Sequence, residues 1–447
     1  MLPEAVSRAI FWAADAIFGP WTIALLFGTG LFLSFRYRFV QVTRFPEAAR
    51  TVIPAAEAGA RGPLSPFQAF MTALAGTIGT GNIAGVATAV VSGGPGAVFW
   101  IWCYGFVATA IKLTEAVLGI KFRVLTEEHL SAGPMHYLRD GMKMPGLAWI
   151  YALVAGIGAL TTTPVTQPNS MALVLKTQFG IPTLASGVLI AVLAWLVIIG
   201  GVKSIGRAAE RLSPAKVGLY LAGGLFVIVT HITALPEVLA TIVRSAFSLP
   251  GALGGTAGVG MMIAIRYGLA RGIYANEAGY GTAAVVYGTA RSERPVQQGL
   301  NAVIEVFIVS FVTSSISALT ILLTGAWKSG ETSTAAVALA FNSSIPVVGG
   351  WIVAFCAFLF GYTTLIGWAY YGEQFLEYVF GRGIIVPYRW VYCGLIVLGA
   401  IGKVDLVWAW GDLMNGLQIF PNLVGVVGLS GVVAALLKAD RERGERA

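Results

Sequence analysis

The sequence predicts an all-α polytopic membrane protein with about eleven transmembrane helices. Hydrophobic residues make up 57% of the 447 residues and charged residues only 11%, whereas soluble chains carry about 25% charge. Apolar runs of roughly 20 residues recur along the whole chain. Two of these runs contain glycine-rich interruptions, which predict helices that break inside the membrane. We therefore expect one integral domain over residues 1–447.

The predicted spans follow one another with short loops. An extra helix at 17–35 comes first, and a tight turn at 93–96 (GGPG) separates the second span from the third. The remaining spans are predicted at 67–92, 96–120, 147–174, 182–200, 216–235, 256–289, 297–326, 346–378, 385–402 and 406–437.

The first interruption is residues 75–85 (AGTIGTGNIAG), in the second span. Glycine costs roughly 1 kcal/mol relative to alanine in a helix interior, and a backbone group freed in hydrocarbon costs more. Such a break survives only where it is buried in protein or lines a watery cavity, as in transporters. Close helix packing through Gly81 and Gly85 is the alternative explanation.

The second interruption is residues 266–281 (RYGLARGIYANEAGYG), in the seventh span. It lies five spans after the first, and because five is odd, a second five-helix unit would start from the opposite face. The predicted units are 67–235 and 256–437. Two broken helices that open two inverted units predict a central substrate site.

The distribution of Lys and Arg predicts the orientation. Alternate connections are basic, and this places the N-terminus outside and the C-terminus in the cytoplasm of a cell-membrane protein. The net charge of +8 is explained by these loops, so it does not indicate nucleic-acid binding. The bilayer is the expected surrounding, and no obligate protein partner is indicated. The basic connections are 36–61, 121–143, 203–216, 291–294, 382–389 and the tail 438–446.

Three motifs taken together resemble the sodium:alanine (or glycine) symporter family. They are residues 79–87 (GTGNIAGVA), the turn 93–96 (GGPG) and residues 276–279 (NEAG). The resemblance covers nearly the whole chain, including the extra first span. It implies a leucine-transporter-like fold, with two inverted five-helix repeats preceded by one helix. It also implies import of small neutral amino acids such as alanine and glycine, with a sodium ion as the co-transported species.

A broken helix offers both polarities that a zwitterionic amino acid needs. Free N–H groups at the start of the second half-helix can hold the carboxylate, and the carbonyls that end the first half can hold an ammonium or a sodium ion. Glycine lets a ligand approach the backbone closely, and the resemblance puts Thr77 and Asn82 near the substrate. A helix cap is the alternative role for Asn82. The candidate substrate residues of this segment are Thr77, Gly79, Thr80, Gly81 and Asn82.

Further candidates lie on other spans. Residues 161–169 (TTTPVTQPN) form a polar stretch with two prolines, and the resemblance favours Gln167 as a substrate ligand. Trp368 lies one helical turn beyond Thr364 and would wall a small side-chain pocket, with packing as the alternative. The candidates of the seventh span are Gly268, Gly272, Ile273 and Asn276.

A sodium site is predicted between the first break and the ninth span. The hydroxyls of Thr363 and Thr364 are adjacent, and the Phe360 carbonyl lies one turn earlier. The family's pattern places this trio against the carbonyls of Ala75 and Ile78. The alternative is that both threonines bond to carbonyls of their own helix.

Charged residues at membrane depth have two interpretations. Arg271 and Glu277 would form either a functional site or an internal salt bridge that acts as a gate or strut. Lys112 and Glu115, three residues apart on one helix face, are predicted to form an ion pair. The partner of Glu305 is not predicted by the sequence.

Other function classes fit the residues less well. An enzyme would need a nucleophile with a base or a metal cluster, but the three histidines, His129, His136 and His231, show no metal-ligand pattern. A passive channel generally needs several copies around an axis. Within the transporter class, proton-coupled amino-acid symport is the alternative to sodium coupling.

Overall fold

The computed structural model describes residues 4–17, 19–52, 59–126, 129–247, 258–402 and 404–444. These residues are almost entirely helical, with one two-stranded antiparallel sheet formed by Val124–Leu125 and Leu130–Ser131. The helices are α1 Glu4–Ile17, α2 Pro20–Arg36, α3 Val40–Thr43, α4 Phe45–Thr51, α5 Pro66–Thr77, α6 Ala84–Gly93, α7 Gly96–Lys121, α8 Pro134–His136, α9 Pro145–Thr161, α10 Thr163–Phe179, α11 Thr183–Ile198, α12 Gly201–Thr230, α13 Leu235–Ala246, α14 Gly258–Asn276, α15 Thr282–Gly288, α16 Pro295–Val306, α17 Ser314–Leu323, α18 Ser333–Ser344, α19 Val348–Phe380, α20 Ile385–Ala400, α21 Val404–Gly428 and α22 Ser430–Gly444. Short 3₁₀ turns lie at Thr80–Asn82, Ile232–Ala234, Ala326–Lys328 and Arg382–Ile384, and π-helical turns at Tyr137–Gly141 and Phe307–Thr313.

The described helices account for the predicted spans. When consecutive helices without a sharp bend between them are joined, seven segments of the described chain are long and apolar enough to cross a membrane. The number is nine if each of two sharply bent helix pairs also counts as one span. The shorter apolar helix α11 and the helix α14 coincide with the two other predicted spans. The all-α polytopic fold is confirmed. The boundary predicted at 256 lies outside the described residues, and the division into two repeats stays a prediction.

The first predicted break is present. Helix α5 starts with a capping box, in which Ser65 and Gln68 exchange side-chain-to-backbone hydrogen bonds of 3.1 Å each. It ends at Thr77, and the chain bends by 62° before continuing as Thr80–Gly93. Every residue from 69 to 87 is buried, so the freed backbone groups face protein, as a break in a span requires.

The second predicted break is also present. Helix α14 ends at Asn276 and α15 begins at Thr282. Between them, Glu277, Gly279 and Gly281 have φ values of +57°, +96° and +84°. The left-handed conformation is accessible to glycine but strained for glutamate, so contacts to the Glu277 side chain must hold this turn in place.

Two long helices hold the breaks. Helix α7 packs against α14, α15 and α16, and helix α19 packs against α5, α9, α10 and α12. Both are largely buried along their length. As a result, α7 lies against the second break and α19 against the first.

Candidate functional site

The N-terminal end of the second half-helix at the first break is held by Gln167. The Thr80 backbone N–H and hydroxyl both donate to Gln167 Oε1, at 3.2 and 2.9 Å. Gln167 reaches this position from α10, which contains Pro168 as its next residue. The amide oxygen therefore lies at the N–H group where a substrate carboxylate is predicted.

Gly79 marks the closest approach of three elements. A Cβ at this position would lie 2.8 Å from Thr364 Oγ1 and 3.4 Å from Gln167 Oε1. A Cβ at Gly81 would lie 3.2 Å from the ring of Tyr274. The first break, α10, α14 and α19 thus meet at one small junction, where only glycine leaves room for the neighbouring side chains.

Thr77 and Asn82 lie on either side of this junction. The Asn82 side-chain amide donates to the Thr77 carbonyl at 2.9 Å, and the Thr77 hydroxyl donates to Glu305 at 3.0 Å. Asn82 Oδ1 is buried and has no hydrogen-bond partner among the described residues. It is an acceptor that a ligand ammonium or another donor could satisfy.

Trp368 holds the second break. Its indole N–H donates to Glu277 Oε1 at 2.8 Å, and the Thr282 hydroxyl donates to the other carboxylate oxygen at 3.0 Å. These contacts stabilise the left-handed Glu277. Asn276 donates to Ser310 of the π-helical turn Phe307–Thr313 at 3.3 Å.

The glycines of α14 lie apart from the junction. A Cβ at Gly268 would lie 2.5 Å from the Ala97 carbonyl, and one at Gly272 would lie 3.2 Å from the Tyr104 ring. Both glycines face α7 and permit close helix packing. Ile273, between them and the break, is fully buried.

The predicted pairing of Lys112 with Glu115 is wrong. Lys112 instead pairs with Glu305 at 3.2 Å and donates to the Asn276 carbonyl at 2.7 Å. Glu115 accepts from the backbone N–H groups of Gly279 and Gly281 at 3.0 and 3.1 Å. The two residues share a helix face, but each is held by one end of the second break.

The oxygens predicted for sodium surround a lysine ammonium. Lys216 Nζ donates to the Ile78 carbonyl at 2.7 Å and the Thr363 hydroxyl at 2.5 Å, and it lies 3.5 Å from the Ala75 carbonyl. Thr364 donates to the Ala75 carbonyl at 3.0 Å, and Thr363 contacts the Phe360 carbonyl at 3.2 Å.

The sequence predicts Lys216 in a basic cytoplasmic connection, and this prediction is wrong. Helix α12 runs from Gly201 to Thr230, so Lys216 lies at its middle and is fully buried. The predicted span began too late because the first half of α12 carries several charges. The apolar run begins at residue 216, whereas the helix begins at Gly201. The apolar pattern alone therefore does not show that Lys216 lies inside a helix.

Two cavities are lined by charged side chains. One of about 600 Å³ is lined by Gly85 of α6, Arg271 of α14 and Trp408 of α21. The Arg271 guanidinium lies over the Trp408 ring at 5.9 Å, and Trp408 lies 5.4 Å from the Tyr274 ring. Because Tyr274 also contacts Gly81, these side chains form a wall between the first break and this cavity. Neither Tyr274 nor Trp408 is among the candidate residues that the sequence predicts.

The other cavity, of about 740 Å³, lies at the end of the molecule that carries the basic loops. It is lined by Glu373 and Glu377 of α19 and by Arg389 of α20, which pairs with Glu373 at 2.7 Å.

Comparison with known proteins decides the family. The model of the sodium:alanine symporter family matches residues 4–446. The chain belongs to the sodium:alanine symporter family. This is a family of transporters and not of enzymes, so the chain is a multi-pass membrane transporter of the amino-acid symporter class.

Relatives of this family align over almost the full length. An uncharacterized transporter of Haemophilus influenzae is 38% identical over 95% of this chain and 94% of its own length. The sodium/alanine symporter AgcS of Methanococcus maripaludis is 36% identical, with 95% of each chain covered. A putative sodium/proton-dependent alanine carrier protein of Bacillus subtilis, YrbD, is 33% identical over 98% of this chain and 91% of its own.

Solved structures agree on the fold. A manganese transporter of Eremococcus coleocola superimposes with a TM-score of 0.56 at 15% identity, covering 84% of this chain and 83% of its own. A sodium-coupled sialic acid symporter superimposes with a TM-score of 0.52 at 13% identity, covering 94% and 86%. These similarities confirm the leucine-transporter-like fold that the family implies.

Proposed function

We propose that this chain imports small neutral amino acids such as alanine and glycine by alternating access, together with a cation. The observation that carries the proposal is the junction at Gly79. There the start of a half-helix, whose N–H groups attract a carboxylate, meets the polar side chains of Gln167 and Thr364.

The junction supports both ends of a zwitterion. The Thr80 N–H and hydroxyl are donors directed at one acceptor position. Asn82 Oδ1 is a buried acceptor without a partner in the described part of the chain. A substrate ammonium would satisfy Asn82 Oδ1, and the cost of leaving a buried acceptor unpaired favours that contact. The substrate carboxylate would take the place of Gln167 Oε1 as the acceptor for Thr80.

The tight packing around the junction supports a small substrate. Gly79 and Gly81 have no space for a methyl group without moving Thr364 or Tyr274. Trp368 is buried, and a change of its side-chain rotamer would break its hydrogen bond to Glu277. Side chains of leucine size would overpack such a site.

Two cations are candidates for coupling. Sodium is the ion in the family's description and in the name of AgcS. The proton is the second candidate, and one observation favours it over sodium. The oxygens predicted for sodium, among them the Ile78 carbonyl and the Thr363 hydroxyl, are already in contact with the Lys216 ammonium.

The proposed orientation follows the basic loops. The N-terminus lies outside, the C-terminus lies in the cytoplasm, and the repeats 67–235 and 256–437 have opposite orientations. In this orientation the cavity lined by Arg271 and Trp408 faces outward. The cavity lined by Glu373 and Arg389 faces the cytoplasm.

The test is uptake by purified protein in liposomes. Alanine, glycine, serine and leucine are offered under an inward sodium gradient, an inward proton gradient, or neither. We expect alanine and glycine to accumulate against their gradients under one of the two ions, and leucine to be excluded. Uptake that only equilibrates under every condition would show a passive pathway. Accumulation of leucine equal to that of alanine would contradict the small pocket.

A further inference from the structure

We propose that the Lys216 ammonium is the resident cation of the site predicted for sodium, so that this chain does not bind sodium there. The inference deepens the proposed function, since it concerns how that transporter ties its first broken helix to its neighbours. It rests on three observations about Lys216: its contacts, its surroundings and its contrast with Lys112.

The contacts of Lys216 are those of a bound cation. Its ammonium donates to the Ile78 carbonyl and the Thr363 hydroxyl, and it lies within 3.5 Å of the Ala75 carbonyl. Its charge also lies 5.2 Å from the Phe360 ring centroid. All four residues belong to the set predicted to hold sodium. Because ammonium and sodium would use the same oxygen lone pairs and carry the same charge, they exclude each other.

The surroundings supply no carboxylate to Lys216. Helices α5, α11, α17 and α18, which pack against α12, contain no charged residue. The carboxylates of α19, Glu373 and Glu377, lie more than two turns beyond Thr363, and Glu373 pairs with Arg389. Among the described residues, no acidic side chain forms an ion pair with Lys216. The half-helix carbonyls therefore take the role of the anion.

Lys112 shows the contrasting case. It also donates to a carbonyl at the end of a broken half-helix, Asn276, at 2.7 Å, but it pairs with the buried Glu305 at 3.2 Å. Its charge is neutralised within the protein. Lys216 instead brings its positive charge to neutral oxygens, as a free sodium ion would.

The Lys216 contact changes how α5 is held to α19 during the conformational cycle. A sodium ion at this position would tie α5 to α19 only while bound. The tethered ammonium of Lys216 ties α5, α12 and α19 together without any ion from solution. Closure of this contact is then independent of the sodium concentration.

Equilibrium binding of radioactive sodium to the purified full chain tests the proposal. The variants are Lys216→Met, which removes the charge at similar volume, Thr363→Val, which removes one oxygen at similar shape, and the two combined. Lys203→Met, an exposed lysine on the same helix α12, is the matched control. The protein is kept folded in detergent, as checked by its elution as a single species.

We expect Lys216→Met to gain saturable sodium binding that the added Thr363→Val removes. Lys203→Met should behave as the natural chain. In Lys216→Met, sodium should also tighten alanine binding, by roughly the 5- to 150-fold typical of coupled sites. The added Thr363→Val should abolish this effect, and in the natural chain no sodium effect on alanine binding should depend on Thr363. If folded Lys216→Met gains no sodium binding, the ammonium is not what keeps sodium out, and the proposal fails.

A second comparison needs no Lys216 variant. Sodium binding by the natural chain that is lost in Thr363→Val would overturn the proposal, because sodium would then use the site despite the lysine. Failure of the proposed function would look different. It would appear as absent alanine binding in all variants, while the sodium measurements would still be decisive for Lys216.

Discussion

Replacing Gln167 with alanine tests the candidate substrate site most directly. Gln167 Oε1 accepts hydrogen bonds from the Thr80 N–H at 3.2 Å and the Thr80 hydroxyl at 2.9 Å. Both residues are buried. A glutamine amide at this position can also donate to a substrate carboxylate and accept from its ammonium.

The size of the effect follows from the cost of a buried polar group that loses its partner, about 1–3 kcal/mol. Expressed as affinity, this is roughly a 5- to 150-fold increase in Kd. We expect Gln167→Ala to bind alanine more weakly by a factor in this range.

The assay is equilibrium binding of radiolabelled alanine to the purified protein, because binding separates the site from the transport steps. Gln178→Ala is the matched control. It changes the same residue type three turns further along α10, at a half-buried position, and it should leave the Kd unchanged.

Two results would refute the reasoning about Gln167. An unchanged Kd in a folded Gln167→Ala would remove this side chain from the site. A lower Kd would show that the amide oxygen competes with the substrate carboxylate for Thr80 and does not bind the substrate itself.

Three further predictions concern packing and charge. Trp368→Leu should let leucine compete for alanine binding because it enlarges the pocket, whereas Trp368→Phe should keep the size limit and lose only the hydrogen bond to Glu277; unaltered selectivity in folded Trp368→Leu would show that Trp368 is not a pocket wall. Glu305→Gln should destabilise the protein by about 3–5 kcal/mol because Lys112 loses its buried ionic partner, and a thermal midpoint equal to that of the natural chain would contradict this. Gly268→Ala should lower thermal stability by pushing α14 away from α7 while the folded fraction keeps its alanine Kd, and loss of affinity at unchanged stability would instead support a substrate role.

The spans and the breaks could be predicted from the sequence because both depend on local composition. Apolar runs of about 20 residues have the length and composition of membrane-spanning helices. Glycine clusters inside such runs weaken the helix. In hydrocarbon a break leaves backbone groups without hydrogen bonds, so such a cluster indicates a break that is buried in protein. The structure has one helix break within residues 75–85. The other is the turn with positive φ at Gly279 and Gly281, within the second glycine-rich stretch.

The partners of buried charges could not be predicted in the same way. Lys112 and Glu115 are neighbours on one helix face, yet each binds a different end of the second break. Glu305, whose partner the sequence does not indicate, comes from α16 to pair with Lys112. These pairings depend on how helices far apart in sequence pack, and periodicity within one helix carries no information about that.

The two breaks differ in how their helix ends are neutralised, and the difference favours an anionic group of the substrate at the first break. At the second break, Lys112 binds the carbonyl end of α14 and the carboxylate of Glu115 binds the N–H end of α15, at Gly279 and Gly281. Both helix-dipole ends thus have a side chain of opposite charge.

At the first break, Lys216 binds the carbonyl end of α5 through Ile78, but the N–H end at Thr80 is met by the neutral amide of Gln167. The position that Glu115 fills at the second break thus has no formal negative charge at the first. A substrate carboxylate would supply that charge, and its attraction to the half-helix N-terminus would come in addition to any pairing with Gln167. We infer that the charge pattern of the two breaks favours a substrate that carries a carboxylate, as an amino acid does, whichever cation drives the transport.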